Sequence, residues 1–316
     1  MRCRNGNNSI LYSLSSILYL GKDFFMTLKE LRDLTENMLH AAGVEDSRFD
    51  ADCLVEDVLG ADKLALILRA AEEVPERDAD RLMSAAEKRC SGTPLQYILG
   101  EWEFYGRPFY VGEGVLIPRP DTETLVEKVL EHFRAAGNLS PEICDLCSGS
   151  GCIAVTLKKE LPKAIIHAVE LSSEAMPYLI KNIRRNEADV KVIKGDVTDG
   201  RLLENFADPE DFGEYRKIDC IVCNPPYLTD KEMDELSREV RHEPELALRG
   251  GEDGLKFYRI IAGLWSDILK DGGLIAFEIG WEQGEAVRDI LEKSGYRDVS
   301  VYKDCAGRDR VAAGIK

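Results

Sequence analysis

Two short segments of this chain carry groups suited to chemistry. The first is Asn224-Pro225-Pro226-Tyr227, directly after the apolar run Ile218-Asp219-Cys220-Ile221-Val222-Cys223. A run of that length reads as a buried strand, so the tetrapeptide stands at a strand end. It offers one amide side chain, one aromatic face and carbonyl oxygens, and its prolines have no N–H to compete for those oxygens. Such a set suits a planar, NH2-bearing group. Asn224 and the Pro225 carbonyl can each accept a hydrogen bond from its nitrogen, and Tyr227 offers a flat face to its plane. An amide nitrogen is a poor nucleophile because its lone pair is delocalised into the carbonyl. Two acceptors and a fixed line of attack are what a protein can add. Asn224, Pro225 and Tyr227 are therefore the candidate catalytic groups. Together with Pro226 they are the candidate substrate contacts.

The second segment is Asp145-Leu146-Cys147-Ser148-Gly149-Ser150-Gly151-Cys152-Ile153-Ala154, followed by Glu170 and then by Asp196-Val197. Glycines let a strand-to-helix turn bend sharply and approach a ligand closely. An acidic residue at the end of the next strand is placed for the two hydroxyls of a ribose. Gly149-x-Gly151-x-x-Ala154 also satisfies the loose dinucleotide fingerprint, so a nicotinamide cofactor is one reading. S-adenosylmethionine is the other, and it fits better: it has the ribose, lacks the pyrophosphate and is cationic beside Asp145 and Asp196. The candidate cofactor residues are Cys147, Ser148, Gly149, Ser150, Gly151, Glu170, Asp196, Val197 and Asn224. Asp196 would face an adenine amino group, with Val197 against the ring.

The elements that must position these groups follow from pattern. After Pro141, strands near 143–147, 164–170, 190–195, 218–223, 274–279, 299–302 and 310–313 alternate with helices near 153–160, 173–186, 255–269 and 282–294. That alternation predicts a doubly wound, mostly parallel sheet with an antiparallel closing hairpin. Upstream, Leu28, Leu31, Leu34, Met38 and Leu39 recur at helical spacing, and two further helical runs follow before Cys90. Residues 26–90 read as a helical bundle, either a stabilising cap or a docking domain for a partner. Residues 91–117, rich in aromatics and broken by Gly100, Gly106 and Pro108, read as a β-hairpin linker; 118–316 carry the main domain. The polar segment Leu228 to Gly250 is either a lid or docking loop over the tetrapeptide or a solvated connector. Residues 1–25 are expected to be an upstream extension or a misplaced start, because Met26 opens the first clean helical pattern.

Composition narrows the function. The 316 residues carry 58 acidic and 41 basic side chains, a net charge of -17. A dedicated duplex-DNA binder needs a basic footprint, so this balance weighs against one. Nine cysteines in a long chain read as reduced thiols in the cytoplasm rather than a disulfide framework. Cys144/Cys147 and Cys220/Cys223 mimic zinc pairs. Residues three apart on a strand point to opposite faces, however, so no metal site is expected. No segment is apolar enough to cross a bilayer.

With these residues in view, the chain from about Thr27 onward resembles the bacterial release-factor glutamine methyltransferases, the PrmC or HemK type. The resemblance is carried by Thr93-Pro94-Leu95-Gln96-Tyr97-Ile98-Leu99-Gly100, Phe104-Tyr105-Gly106 and Leu116-Ile117-Pro118-Arg119-Pro120-Asp121-Thr122-Glu123. It continues through Asn224-Pro225-Pro226-Tyr227, Gly250-Gly251-Glu252-Asp253-Gly254-Leu255, Glu278-Ile279-Gly280 and Gln283-Gly284. It implies a Rossmann-like class I S-adenosylmethionine-dependent methyltransferase domain with a seven-stranded, mostly parallel sheet, a helical N-terminal domain and the hairpin linker. It implies methylation of the glutamine in the Gly-Gly-Gln tripeptide of peptide chain release factors, at the side-chain nitrogen. It assigns Asn224 to Tyr227 to the substrate amide, and Cys147 to Gly151, Glu170, Val197 and Asn224 to the cofactor. The partner would be a release factor, met in the cytoplasm by a monomer with no direct nucleic-acid or membrane contact. Two positions depart from the family pattern: Cys147 stands where Gly is usual, and Glu170 where Asp is common. The rival readings are a ribosomal-protein glutamine methyltransferase, a DNA adenine N6-methyltransferase, a NAD-dependent dehydrogenase and a binding module without activity.

Overall fold

The computed structural model describes residues 26–207 and 214–316, in two units that divide between Gly92 and Thr93. The expectation for residues 1–25 lies outside the described residues.

The first unit is helical: α1 Leu28–Ala41, α2 Ser47–Leu59, α3 Lys63–Leu68 and α4 Glu76–Cys90. Thr27 caps α1 in a reciprocal box with Glu30, which satisfies amide groups that the first turn leaves free. Leu31, Leu39, Leu54, Val55 and Leu82 are fully buried in this unit. The buried Asp50 and Arg89 join α2 to α4 at 2.6 Å. Helix α3 shows no periodic apolar face in the sequence, and the structure explains why. It buries no side chain, and Leu64, Ile67 and Leu68 are exposed.

The second unit opens with α5 Leu95–Leu99, and the antiparallel hairpin β1 Glu101–Phe104 and β2 Arg107–Tyr110 follows. Tyr97 therefore belongs to a helical turn and not to the hairpin. Pro94 starts that turn, and Gly100, left-handed at φ 77, stops it. Next come α6 Pro120–Ala135, β3 Glu142–Leu146, α7 Cys152–Glu160, β4 Ile165–Glu170, α8 Met176–Arg185, β5 Val190–Lys194 and β6 Ile218–Cys223. The chain continues as β7 Leu228–Thr229, α9 Asp230–Asp234, β8 Arg249–Gly251, α10 Lys256–Leu264 and β9 Leu269–Glu278. It closes with α11 Gly284–Lys293, β10 Arg297–Lys303 and β11 Asp309–Ile315.

Seven strands form the main sheet in the order β10-β11-β9-β6-β3-β4-β5. Only β11 runs antiparallel to its neighbours; the other pairings are parallel. This is the expected doubly wound sheet with its closing hairpin. Burial on both faces accounts for the continuous apolar runs of its central strands. Ile143, Cys220 and Val222 face one cluster with α6 and α7. Cys144, Leu146, Ile221 and Cys223 face the other, with Tyr258 and Trp265. The helix expected over 255–269 is shorter. It tightens to a 3₁₀ turn at Trp265, where the buried indole donates to the Val197 carbonyl at 2.8 Å.

Strand order reverses at β3, with β4 on one side and β6 on the other. Sheets of this type bind ligands outside the carboxyl ends of the strands at such a switch point. The glycine loop leaves β3 and Asn224 leaves β6 at that place.

Candidate active site

A cavity enclosing about 930 Å3, its open mouth included, lies at these strand ends. One part of its wall is the turn between β3 and α7, Cys147 to Ser150; Glu170 ends β4 and Ser172 follows it, and Gly195, Asp196 and Val197 follow β5. Gly151 forms the helix start beneath, at φ 80, where a Cβ would stand 2.5 Å from the Leu179 side chain. A side chain there would strain the backbone and press on Leu179. Cys147 holds φ 59, a left-handed backbone uncommon for a side chain with a Cβ. The usual glycine of the resemblance thus has a conformational reason.

That same turn corrects an expectation about the first cysteine pair. Because β3 ends at Leu146, Cys147 turns back to pack against the cluster that also holds Cys144, instead of the opposite face. Cys220 and Cys223, inside β6, do face opposite clusters.

The Glu170 carboxylate is fixed by short bonds. It accepts from the Gly149 amide at 2.7 Å and from the Ser172 amide at 2.6 Å while lining the cavity. A carboxylate has about four lone-pair sites, so acceptor capacity is left for ligand hydroxyls. Asp196 accepts from the Thr198 amide and hydroxyl at 2.8 and 2.7 Å and lines the cavity with Val197. Asp145 lies under the loop and not on the wall. Its Oδ2 accepts from the Ala154 amide at 3.2 Å, and Oδ1 has no partner among the described residues. Burial, with the Glu170 charge adding, pushes its carboxyl up to about 8.

The opposite wall holds Asn224 and Pro226, with Leu116 to Arg119 and Thr122 from the start of α6. Pro244, Leu246 and Ala247 show that part of the 228–250 segment faces the cavity. Buried Glu243 ties that segment down, accepting from the Ile117 amide at 3.1 Å and pairing with Arg119. Pro225 is buried and is not part of this wall, and neither is Tyr227. The Tyr227 ring packs against the second core cluster, and burial, then Glu278, pushes its hydroxyl up. Its carbonyl accepts from Gln283 Nε2 at 3.0 Å. Gly250 and Gly254 allow the chain to press on this backbone: a Cβ at Gly250 would lie 2.7 Å from Tyr227 Cα, and one at Gly254 2.3 Å from the Tyr227 oxygen.

The cavity thus gathers Cys147, Ser148, Gly149, Ser150, Glu170, Asp196, Val197, Asn224 and Pro226 from the predicted set, with Gly151, Pro225 and Tyr227 behind it. Thr122, Glu243 and Gln283 were not singled out as site residues by sequence reasoning. Thr122 and Gln283 fall inside the quoted resemblance, and Glu243 had no signal beyond the proline after it. Among the described lining residues Arg119 is the one cation, and Glu243 pairs with it. Glu170 and Asp196 therefore suit a cationic, ribose-bearing ligand better than a pyrophosphate.

Comparison with known proteins gives the family. Residues 30–100 match the family model described as PrmC N-terminal domain, and residues 121–251 match that described as methyltransferase small domain. The release factor glutamine methyltransferase of Clostridium botulinum is 37% identical, covering 92% of this chain and 100% of that protein. Its Bacillus subtilis counterpart is 38% identical over 92% of this chain and 98% of that protein. A solved release factor-specific protein-(glutamine-N5) methyltransferase from Alicyclobacillus acidocaldarius aligns with 66% of this chain and 99% of that one, at 30% identity and TM-score 0.38. On these family models and relatives, the chain belongs to the release factor glutamine methyltransferase family.

Proposed function

We propose that this chain transfers a methyl group from S-adenosylmethionine to the side-chain nitrogen of the Gly-Gly-Gln glutamine of peptide chain release factors. The observation that carries the reading is the meeting of Glu170 and Asn224 in one cavity at the sheet's switch point. When bound, S-adenosylmethionine supplies an electrophilic methyl group on a sulfonium. The residues that would hold it are Glu170 at the ribose hydroxyls, Asp196 and Val197 at the adenine, and the Cys147–Gly151 turn along its length. Asn224 Oδ1 accepts one N–H of the substrate amide. A carbonyl of the Pro225–Pro226 pair is the candidate for the other, which leaves the nitrogen lone pair in line for attack. No strong general base is required, since the proton can leave after the methyl arrives. The Tyr227 ring braces the tetrapeptide from behind instead of stacking on the substrate. Residues 26–90 are the candidate docking unit for the release factor. A release-factor substrate puts the work in the cytoplasm.

The test is transfer of radiolabel from S-adenosylmethionine to a purified release factor, beside a copy whose Gly-Gly-Gln glutamine is replaced. Label on the first and none on the second is the expected result. Equal label on both would refute the site, and no label on either, with cofactor binding confirmed, would refute the substrate.

A further inference from the structure

We propose that Thr122 and Glu278 are positioning residues that fix which way the Asn224 amide faces, so that its oxygen and not its nitrogen is left for the substrate. The inference rests on the methyl-transfer reading above. Three chain segments meet at this point. Strands β6 and β9 run parallel with Cys223 opposite Phe277, which sets Asn224 and Glu278 side by side at the strand ends. Thr122 arrives from the first turn of α6, 102 positions before Asn224. Thr122 is 2% exposed and Glu278 1%.

A hydroxyl has one proton and two lone pairs, whereas an ionised carboxylate can only accept. Glu278 is the buried carboxylate set beside Asn224, and its charge acts on the Thr122 hydroxyl; under the proposal the Thr122 proton is directed to it. The Thr122 oxygen is then able only to accept, and Asn224 answers with its Nδ2–H at 3.5 Å. The distance is long, as polar contacts in unliganded active sites often are before substrate tightens them. Glu278 Oε2 has no partner among the described residues although the side chain is fully buried. Buried carboxylates that serve packing alone rarely leave an oxygen unsatisfied.

The arrangement has a pH signature. Burial pushes the Glu278 carboxyl up to about 7, against Thr122 and Arg310. Arg119 and Asp121 also act on it, from the start of α6, as do the half-buried phenol of Tyr227 and the buried phenol of Tyr258. A protonated Glu278 becomes a donor to Thr122, whose own proton is then free for Asn224 Oδ1. The amide turns over and its oxygen is lost to the substrate.

The experiment is steady-state kinetics on a release factor with Thr122→Val, Thr122→Ser and Glu278→Gln, each checked by melting temperature and S-adenosylmethionine affinity. Thr122→Val is expected to lower kcat about tenfold while the release-factor KM and cofactor Kd stay within about twofold. Thr122→Ser, which keeps the hydroxyl, is expected to hold at least about half the wild-type kcat. Wild-type kcat should rise as pH passes about 7, and Glu278→Gln, which accepts from Thr122 but does not titrate, should lose that rise. A Thr122→Val enzyme with wild-type kcat would overturn the proposal. So would Thr122→Ser falling as far as Thr122→Val at equal melting temperature, or an unchanged pH rise in Glu278→Gln. A wild-type chain that labels no release factor overturns the reading beneath it as well.

Discussion

The two walls of the cavity are built in contrasting ways. On the β3–β4 side, Glu170 is locked by two backbone amides at 2.7 and 2.6 Å, and Asp196 by the Thr198 amide and hydroxyl at 2.8 and 2.7 Å. On the β6–β9 side, the Asn224 side chain has a single hydrogen bond among the described residues, at 3.5 Å, and Glu278 beside it is incompletely satisfied. Backbone amides are anchored by secondary structure, so the first wall is formed before any ligand arrives. Side-chain contacts can tighten, so under the proposed function the second wall would be completed by the substrate. The difference matches the work proposed for each: one wall would hold a cofactor in a constant pose, and the other would favour the transition state over the resting amide.

This contrast can be broken most severely at Asn224. Asn224→Ala should reduce kcat by about 10²–10³-fold, as loss of one pre-aimed polar group in a dry site does. Calorimetric affinity for S-adenosylmethionine should stay near wild type; a large loss would mean that the two walls are not separable. Glu170→Ala should do the reverse, weakening cofactor binding by about 1–3 kcal/mol through lost charge-assisted hydrogen bonds. An unchanged Kd would take Glu170 out of the site.

A smaller effect is expected at Asp145. The unfolded chain releases this proton near the ordinary carboxylate range, while the folded chain keeps it until about pH 8. Stability therefore falls as pH rises through that window, because the unfolded state binds fewer protons. Asp145→Asn, which can still accept from the Ala154 amide, should melt higher than wild type above pH 8. The two should melt alike near pH 4, and parallel melting curves across the range would contradict the assignment. The smallest change is Cys147→Gly. Relief of the left-handed backbone is worth about 1 kcal/mol, offset in part by a more flexible unfolded chain and lost thiol packing. Urea unfolding should show a net gain below about 1 kcal/mol, and a net loss would show that the thiol's packing dominates.

Much of the second unit was legible because its signals are local. Continuous apolar runs mark buried parallel strands, and residues that leave such strands stand at one edge of the sheet. Asn224 and the Cys147–Gly151 turn could therefore be placed near each other from pattern alone. The elements that escaped are short or lack a face to bury. Helix α3 exposes its apolar side chains, and α5 is a single turn between a proline and a glycine. Tyr227 shows a different limit. An aromatic beside a reactive amide suggests stacking, but only packing decides whether the ring faces the cavity or the core, and here it faces the core.

What the sequence determined by itself was the strand–turn chemistry: glycines where the backbone must turn, an acidic residue ending β4, and an amide followed by prolines ending β6. Each depends on neighbours along the chain, so spacing suffices to read it. What the tertiary structure alone decided was partnership. Thr122 meets Asn224 across 102 positions, Ile117 meets Glu243 across 126, and Gln283 holds Tyr227 across 56. Strand register and helix packing set those meetings, and single side chains carry no record of them.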